Sequence, residues 1–136
     1  MKHIDHLFQL QQRNQQYNGW FKDCSEFYYF HGILDEMEEI RKELMLQKLP
    51  ELEDEVGDLL WVMMNFVGKL EDKEMIDVER MMKNTHLKFS ERLPYVVEGR
   101  FEGDKAKRSQ LWNEAKNRQK ERKVQTQVSS KNSPEK

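Results

Sequence analysis

The sequence contains few residues of the kinds that cross-link a chain, turn it or span a membrane. Cys24 is the one cysteine among 136 residues, so neither an internal disulfide nor a cysteine zinc site can form. No apolar run approaches the ~20 residues that cross a bilayer, and the first residues lack an apolar stretch of signal-peptide length. Six glycines and three prolines are too few for a turn-rich all-β chain. These absences exclude a membrane protein and favour a helical protein of the reducing cytoplasm.

Charge is abundant and unevenly placed. Charged residues make up 35% of the chain, and residues 34–58 contain 10 acids and 3 bases, which suits a cation site. The basic segment after residue 104 lacks interleaved aromatics beyond Trp112, so we expect a solvated segment and no nucleic-acid partner. The length is that of one domain, and apolar residues almost vanish after Val124. The sequence therefore predicts one domain over residues 1–123 and a disordered polar tail over residues 124–136.

Apolar residues recur at helical spacing in five segments. This spacing predicts helices at about residues 4–17, 25–47, 50–70, 77–92 and 105–123. The segment 93–97 is predicted to be extended, because a residue that precedes proline avoids the helical region. Short connections make sequential helices antiparallel neighbours. The prediction is an all-α antiparallel helix bundle.

Two of the predicted helices carry an apolar stripe that we expect to form the core. The stripe residues are Phe30, Ile33, Leu34, Met37, Ile40 and Leu44 on the second helix, and Leu52, Val56, Leu59, Met63, Phe66 and Leu70 on the third. Opposite its core stripe the third helix has a second uncharged stripe, formed by Gly57, Trp61, Met64 and Gly68. Glycine inside a helix costs about 1 kcal/mol against alanine, so its presence indicates a close approach of another backbone. We expect that backbone to belong to a second subunit; the alternative is the first or fifth helix of the same chain.

Paired carboxylates at i,i+3 spacing lie on two neighbouring helices. They are Glu36 with Glu39 and Glu55 with Asp58. At 100° per residue each pair falls on one flank of its helix, so antiparallel packing would bring the two flanks together. Four converging carboxylates repel one another unless a cation lies between them, and an all-oxygen ligand set selects Mg²⁺ or Mn²⁺. The alternative is a solvated acidic face.

A polar stripe on the fourth predicted helix has the chemistry of a phosphate site. Asn84, Lys88 and Arg92 follow one another at i, i+4 and i+8. Arginine offers a bidentate contact to phosphate and lysine a point charge. Alternatively, the two bases pair with Glu91 or with acids of the second helix.

Several separated motifs resemble those of the MazG nucleoside triphosphate pyrophosphohydrolases. The segments Leu-Asp-Glu-Met-Glu-Glu-Ile (34–40) and Glu-Asp-Glu-Val-Gly-Asp-Leu-Leu-Trp (53–61) are similar to the family's paired ExxE and ExxD signature. The segment Lys-Phe-Ser-Glu-Arg-Leu-Pro-Tyr-Val-Val (88–97) resembles its Lys-Phe…Arg-x-Pro-His-Val-Phe motif. The segment 111–116 resembles the Trp-centred helix that follows, and Trp20 has the spacing of the Trp in the family's Cys-Pro-Trp-Asp motif. The resemblance covers about residues 18–122.

The sequence also departs from the family pattern. Asn18-Gly19 replaces Cys-Pro, Phe21 replaces Asp, Tyr95 replaces His, and Leu87 stands where a carboxylate is usual. These changes concern the entry loop, the base preference and one secondary ligand, whereas the four main carboxylates are intact.

The resemblance implies Mg²⁺-dependent hydrolysis of nucleoside triphosphates to monophosphates and pyrophosphate, with Mn²⁺ as a substitute. It implies a bundle of the all-α NTP pyrophosphatase type that is completed by dimerisation, as a homodimer or a dimer of dimers. Glu36, Glu39, Glu55 and Asp58 would bind the metal, and Glu39 would double as general base. Lys88 and Arg92 would act on the phosphates as catalytic and substrate-binding residues. The further substrate contacts would be Asn65, Asn84 and Trp20.

Two other functions remain open. Dimeric dUTPases and phosphoribosyl-ATP pyrophosphohydrolases share the carboxylate pattern, although the segment 88–97 favours MazG. A non-catalytic helical adaptor would instead use the acidic face to bind a basic partner.

Overall fold

The computed structural model describes residues 1–132, and every regular element in that range is a helix. The helices are α1 (Lys2–Tyr17), α2 (Gly19–Asp23), α3 (Glu26–Leu46), α4 (Leu49–Asp72), α5 (Val78–Arg92), α6 (Pro94–Val97) and α7 (Lys105–Lys131). The predicted all-α class is confirmed. None of the helices within residues 1–132 combines the length and apolar character that a membrane span requires.

The polypeptide forms two compact units. The first, Met1–Val78, contains α1 to α4, and the second begins at Glu79 with α5. The segment predicted as one domain over residues 1–123 thus contains all of the first unit and most of the second. Every predicted metal ligand lies in the first unit.

Helices α3 and α4 form an antiparallel hairpin that is the centre of the first unit. Between them, Gln47 takes a left-handed conformation that ends α3, and Pro50 lies in the first turn of α4, where its missing N–H costs nothing. A Cβ on Gly32 would lie 3.1 Å from the Val62 side chain, and the rings of Phe30 and Phe66 are 6.4 Å apart. The absence of a side chain at Gly32 therefore brings the two helices close together.

The short helix α2 is attached to α4 by a buried lysine. The Lys69 ammonium donates to the carbonyl oxygens of Phe21 at 2.9 Å and Lys22 at 3.2 Å. These carbonyls belong to the last turn of α2, where helical partners are lacking. Lys69 is 4% exposed, and its ammonium also lies 5.0 Å from the centre of the buried Phe21 ring. The lysine thus supplies hydrogen-bond donors to the carbonyl oxygens at the end of α2 and fixes the position of α2 on α4.

Helix α1 packs on α4 over part of the stripe that we expected to contact a second subunit. At Gly68 an added Cβ would lie 2.3 Å from the Gln11 amide nitrogen of α1, and Met64 is buried. At Gly57 nothing lies within 4 Å of an added Cβ. The close approach at Gly68 therefore comes from the first helix of the same chain, which is the alternative explanation of the stripe.

Much of the predicted core is exposed. Six of the twelve core-stripe residues are 44–58% exposed: Phe30, Leu34, Met37, Leu44, Val56 and Met63. Ile40 is buried as predicted, and Phe21 and Tyr29 are buried as well. The periodicity identified an apolar face on each helix correctly, but within one chain half of these residues remain uncovered.

The second unit differs from the sequence prediction in two segments. Residues 94–97, predicted to be extended, form the helical turn α6. Leu93 does avoid the helical region, with φ −127°, but Pro94 then begins a new turn because its fixed φ suits a first helical position. Helix α7 runs to Lys131, past the start of the predicted disordered tail, because no glycine or proline interrupts it. Residues 133–136 of that tail lie outside the described residues.

Lys69→Met should destabilise the protein. The change leaves the α2 carbonyls of Phe21 and Lys22 without their donor, which we expect to lower the free energy of unfolding by about 1–3 kcal/mol. Urea unfolding followed by circular dichroism measures this loss. Lys73→Met, which breaks an exposed ion pair with Glu26, is the matched control and should change stability much less. Equal effects of the two changes would contradict the role of Lys69.

Candidate metal centre

Three carboxylates from the α3–α4 hairpin come together on one side of it. The carboxylate oxygens of Glu36, Glu55 and Asp58 lie within 4.8 Å of one another. Glu36 projects from α3, and Glu55 and Asp58 project from successive turns of α4. Glu36 and Glu55 are half-buried, and Asp58 is exposed. Antiparallel packing thus brings together the flanks on which the i,i+3 pairs were predicted.

The cluster raises the pKa of Glu36 to about 7. Burial is the largest cause, followed by a hydrogen bond with Glu55 that requires one of the two carboxyls to carry a proton. The negative charges of Asp58, Glu55 and Glu39 act in the same direction. Glu36 therefore keeps its proton to a higher pH than an ordinary glutamate does.

Glu39, the fourth predicted ligand, lies beside the cluster. Its carboxylate accepts a hydrogen bond from Lys42 at 3.3 Å, and its side chain is 47% exposed. Its charge nevertheless acts on Glu36. One turn further along α3, the Oε2 atom of Glu43 is buried and has no hydrogen-bond partner among the described residues. This flank of α3 therefore carries more carboxylate oxygens than the hydrogen-bond donors and basic side chains around it pair with.

An open cavity adjoins the cluster on α4. It has a volume of about 390 Å³ and is lined by Pro50, Glu53, Asp54, Gly57 and Asp58. Gly57 has no side chain, so the space beside Asp58 stays free. Asp58 is thereby accessible from solvent as well as from Glu36.

The residues of the cluster fit a divalent cation. Their donor atoms are all carboxylate oxygens, which hard ions such as Mg²⁺ and Mn²⁺ prefer. The separation of the oxygens allows one ion to contact all three side chains. A dication would also remove the repulsion that raises the pKa of Glu36.

Asn65, a predicted substrate contact, is fully buried on α4 and hydrogen-bonded at both ends of its amide. Its Nδ2 donates to the Trp61 carbonyl at 2.9 Å, and its Oδ1 accepts from Asn14 of α1 at 2.8 Å. Asn14 in turn accepts from Asn18 at 2.7 Å, and Asn18 accepts from the backbone N–H of Trp20 at 3.0 Å. We name Asn18, Asn14 and Asn65 the amide network. In this network Asn65 lies beneath Asn14, and Asn65 has no solvent-exposed surface.

Trp20 lies on α2 with its side chain 62% exposed. Its ring meets the ring of Tyr28 edge to face, with the centres 6.0 Å apart. Asn18, which ends α1, is also the N-cap of α2, so this residue begins one helix as well as ending another. Trp20 is thus presented on a short helix that is held at both ends, by Asn18 and by Lys69.

The predicted phosphate-binding residues lie on α5 in the second unit. Asn84 and Lys88 are exposed, and Arg92 is half-buried. The Arg92 guanidinium lies 5.1 Å from the Trp112 ring centre and donates from Nε to Gln119 of α7 at 3.0 Å. Glu91 pairs with Arg122, so it is not the partner of Arg92 that the alternative supposed. The guanidinium is oriented by an aromatic face and one amide.

Sequence reasoning missed several residues that support these side chains. Asn14 lies four residues before Asn18, a helical spacing that indicates a side-chain pair and was available in the sequence. Lys69 and Gln119 gave no such signal, because their partners are 47 and 27 residues away. Their roles depend on contacts between distant segments.

Comparison with known families identifies the domain. Residues 26–97 match the MazG nucleotide pyrophosphohydrolase domain, which is more than half of the chain. The matched range contains all four predicted metal ligands together with Lys88 and Arg92. The protein belongs to the MazG family.

One solved structure shares the fold. It is the crystal structure of a mazG-related protein from Thermotoga maritima, with a TM-score of 0.77 at 20% sequence identity. The likeness covers 83% of this chain and 98% of that one. At this identity it establishes the fold alone. A comparison with curated protein sequences found no match.

The metal-free protein should lose stability as the pH rises from 4.5 to about 7. The folded-state pKa of Glu36, about 7, lies above the ordinary value of 4.5, so the folded protein holds this proton more tightly. The resulting stabilisation is complete below pH 4.5 and is lost as the pH rises through 7. Melting temperatures in EDTA test this by the difference between Glu36→Gln and wild type, which should grow over this interval. Mg²⁺ at pH 7.5 should raise the melting temperature of wild type more than that of the variant. A difference that is the same at every pH would contradict the prediction.

Proposed function

We propose that the protein hydrolyses nucleoside triphosphates to nucleoside monophosphate and pyrophosphate in a Mg²⁺-dependent reaction. The observation that carries the proposal is the convergence of Glu36, Glu55 and Asp58 on the helix hairpin of a MazG domain. Mn²⁺, with the same preference for oxygen ligands, is the expected substitute. The dUTPase-like and phosphoribosyl-ATP pyrophosphohydrolase-like activities are narrower forms of this chemistry.

In this proposal all four acids are metal ligands, and one of them, Glu39, is also the base. Glu36, Glu39, Glu55 and Asp58 would hold the ion, which would supply neutralisation of phosphate charge and activation of water. Glu39, with its carboxylate at the edge of the cluster, takes the proton of the attacking water. The new bond joins the water oxygen to the α-phosphorus. The bond from that phosphorus to the oxygen bridging towards the β-phosphate breaks, and pyrophosphate leaves with the bonding electrons.

The remaining predicted residues are proposed substrate contacts. Lys88 and Arg92 are assigned to phosphate because their segment resembles the family's motif and lies in the matched range, and because the two side chains can donate to several oxygens. For Arg92 the support is stronger, since Gln119 and Trp112 hold its guanidinium and so reduce the entropy lost on binding. Asn84 on the same helix is a polar contact of lower specificity. Asn65 is proposed to act through Asn14, and Trp20 to offer its exposed ring to the substrate.

The exposed halves of the core stripes support a homodimer, or a dimer of dimers. Leu34, Met37 and Val56 are 48–52% exposed in the single chain although they occupy the apolar faces of α3 and α4. Such contiguous apolar surface is rare on a monomer and typical of a face that another subunit covers. A second copy would contribute identical apolar stripes. Since α1 already covers Met64 and Gly68, these stripes replace the Trp61 stripe as the proposed interface.

A non-catalytic adaptor is the second candidate. The acidic flank of α3, with the unpartnered Glu43 oxygen, is the feature that favours binding of a cation or a basic partner. Pyrophosphate release over a panel of the eight common nucleotides, with and without Mg²⁺, separates the two. No release from any nucleotide would leave the adaptor as the better account.

Asp58→Ala and Glu39→Ala should each reduce hydrolysis by at least about a hundredfold, because each removes a proposed ligand of the ion that neutralises the phosphate charge, and Glu39→Ala also removes the proposed base. The melting temperature should stay near or above that of wild type, since each change relieves repulsion among the acids. Asp54→Ala, on the same helix but outside the cluster, is the control and should keep activity. A cluster variant that retains activity would contradict the site, and one that unfolds would show a structural role.

The wild-type protein should sediment as a dimer or larger at micromolar concentration, and Leu34→Glu should yield monomers. A charge at the centre of an apolar interface is costly to bury, whereas in the single chain Leu34 is 52% exposed and tolerates it. Val124→Glu on α7, a residue of similar exposure (55%), is the matched control. A monomeric wild type would show that the exposed stripes do not form an interface.

A further inference from the structure

A second cavity lies between α1 and α4, within the first unit. Its volume is about 500 Å³, and it is lined by Leu10, Arg13, Asn14, Tyr17, Asn18 and Trp61. This size is in the range of sites for small organic ligands. The lining combines two aromatic rings, two amides and one guanidinium, and it contains no carboxylate. The cavity is therefore suited to a flat, polar ring.

The cavity is close to the metal centre along α4. Trp61 follows Asp58 by three residues, which is one helical turn and about 60° around the helix. A molecule that occupies the cavity beside Trp61 is therefore next to the turn of α4 that carries Asp58.

The amide network fixes which atoms Asn14 and Asn18 offer to a ligand. At one end the backbone N–H of Trp20 can only donate, so the atom of Asn18 that it meets is the oxygen. At the other end the Trp61 carbonyl can only accept, so Asn65 presents its nitrogen to it. The links between these ends must then run from Asn18 Nδ2 to Asn14 Oδ1 and from Asn14 Nδ2 to Asn65 Oδ1.

Each cavity amide consequently keeps one N–H and one oxygen lone pair outside the network. Arg13 adds further N–H donors, and its guanidinium lies 5.7 Å from the Tyr17 ring centre. Donors thus exceed acceptors in the cavity. A carbonyl oxygen accepts two hydrogen bonds, whereas each ring nitrogen of adenine accepts one and its N1 and N7 flank an exocyclic amine that donates, so a ring with carbonyl oxygens matches this pattern better.

We propose that this cavity binds the base of the nucleotide substrate, and that it favours bases with a ring carbonyl (uracil, thymine, cytosine, guanine) over adenine. Tyr17 and Trp61 provide stacking faces, Asn14 and Asn18 pair with the edge of the base, and Arg13 donates to its carbonyl oxygen. The inference rests on the proposed nucleotide substrate. It assigns the base to the α1–α4 cavity and not to the exposed ring of Trp20.

Binding of UMP and of ribose 5-phosphate to the full-length protein tests the site, because the two ligands share a sugar phosphate and differ in the base. UMP should bind wild type more tightly than ribose 5-phosphate, and AMP should bind more weakly than UMP. Tyr17→Ala should weaken UMP binding at least about fivefold, since stacking on one aromatic ring is lost, and should leave ribose 5-phosphate unchanged. Tyr17 is 70% exposed, so we expect this variant to fold. Arg13→Ala should reduce the preference for UMP over AMP.

Tyr28→Ala is the matched control, because Tyr28 is 51% exposed, contacts Trp20 and does not line the cavity. Its UMP affinity should equal that of wild type. A loss in Tyr28→Ala or Trp20→Ala without a loss in Tyr17→Ala would overturn the proposal and place the base at Trp20. Equal affinities of wild type for UMP and ribose 5-phosphate would also overturn it.

These binding measurements do not depend on turnover. Tyr17-dependent UMP binding without hydrolysis of any triphosphate would support the cavity and contradict the proposed reaction. Hydrolysis with an unchanged KM in Tyr17→Ala would support the reaction and contradict the cavity.

Discussion

The repulsion among three carboxylates held within 4.8 Å of one another is the constraint on which the first unit depends. Burial and mutual repulsion raise the pKa of Glu36 to about 7, so the metal-free cluster is formed against an electrostatic cost. The packing of α3 on α4 offsets that cost, through the close approach at Gly32 and Val62 and the Phe30–Phe66 contact. A hairpin stabilised by contacts between uncharged residues can keep a set of mutually repelling ligands ready for a cation.

Helix α4 connects this cluster to the rest of the first unit. Its first turns carry Glu55 and Asp58 towards α3, and its later turns carry Asn65 towards α1 and Lys69 towards α2. The buried polar groups of Asn65 and Lys69 are hydrogen-bonded, so they position the neighbouring helices without leaving a buried donor unpaired. The exposed Trp20 and the α1–α4 cavity therefore lie in defined positions relative to the carboxylate cluster. A change in the amide network would move several of these features together.

The core of the first unit is small for the number of apolar residues in its helices. Phe21, Tyr29, Ile40 and Met64 are its buried hydrophobic residues, whereas half of the predicted core residues are exposed. We infer that the bundle is incomplete in one chain. If a second copy covers these stripes, folding, assembly and the integrity of the metal site are linked through the same two helices.

The sequence alone determined the helical class, the approximate bounds of the long helices except the end of α7, and the residue types of the carboxylate cluster. Periodicity, helix-breaking residues such as Asn18-Gly19 and the i,i+3 acids are local signals, which can be recognised without knowledge of the fold. Tertiary structure decided which acids meet: Glu36, Glu55 and Asp58 do, while Glu39 pairs with Lys42 beside them. It also decided that α1 covers Gly68, that Lys69 caps α2 and that Gln119 holds Arg92. Each of these contacts joins segments that are distant in the chain, and helical periodicity carries no information about which distant segment will be the partner.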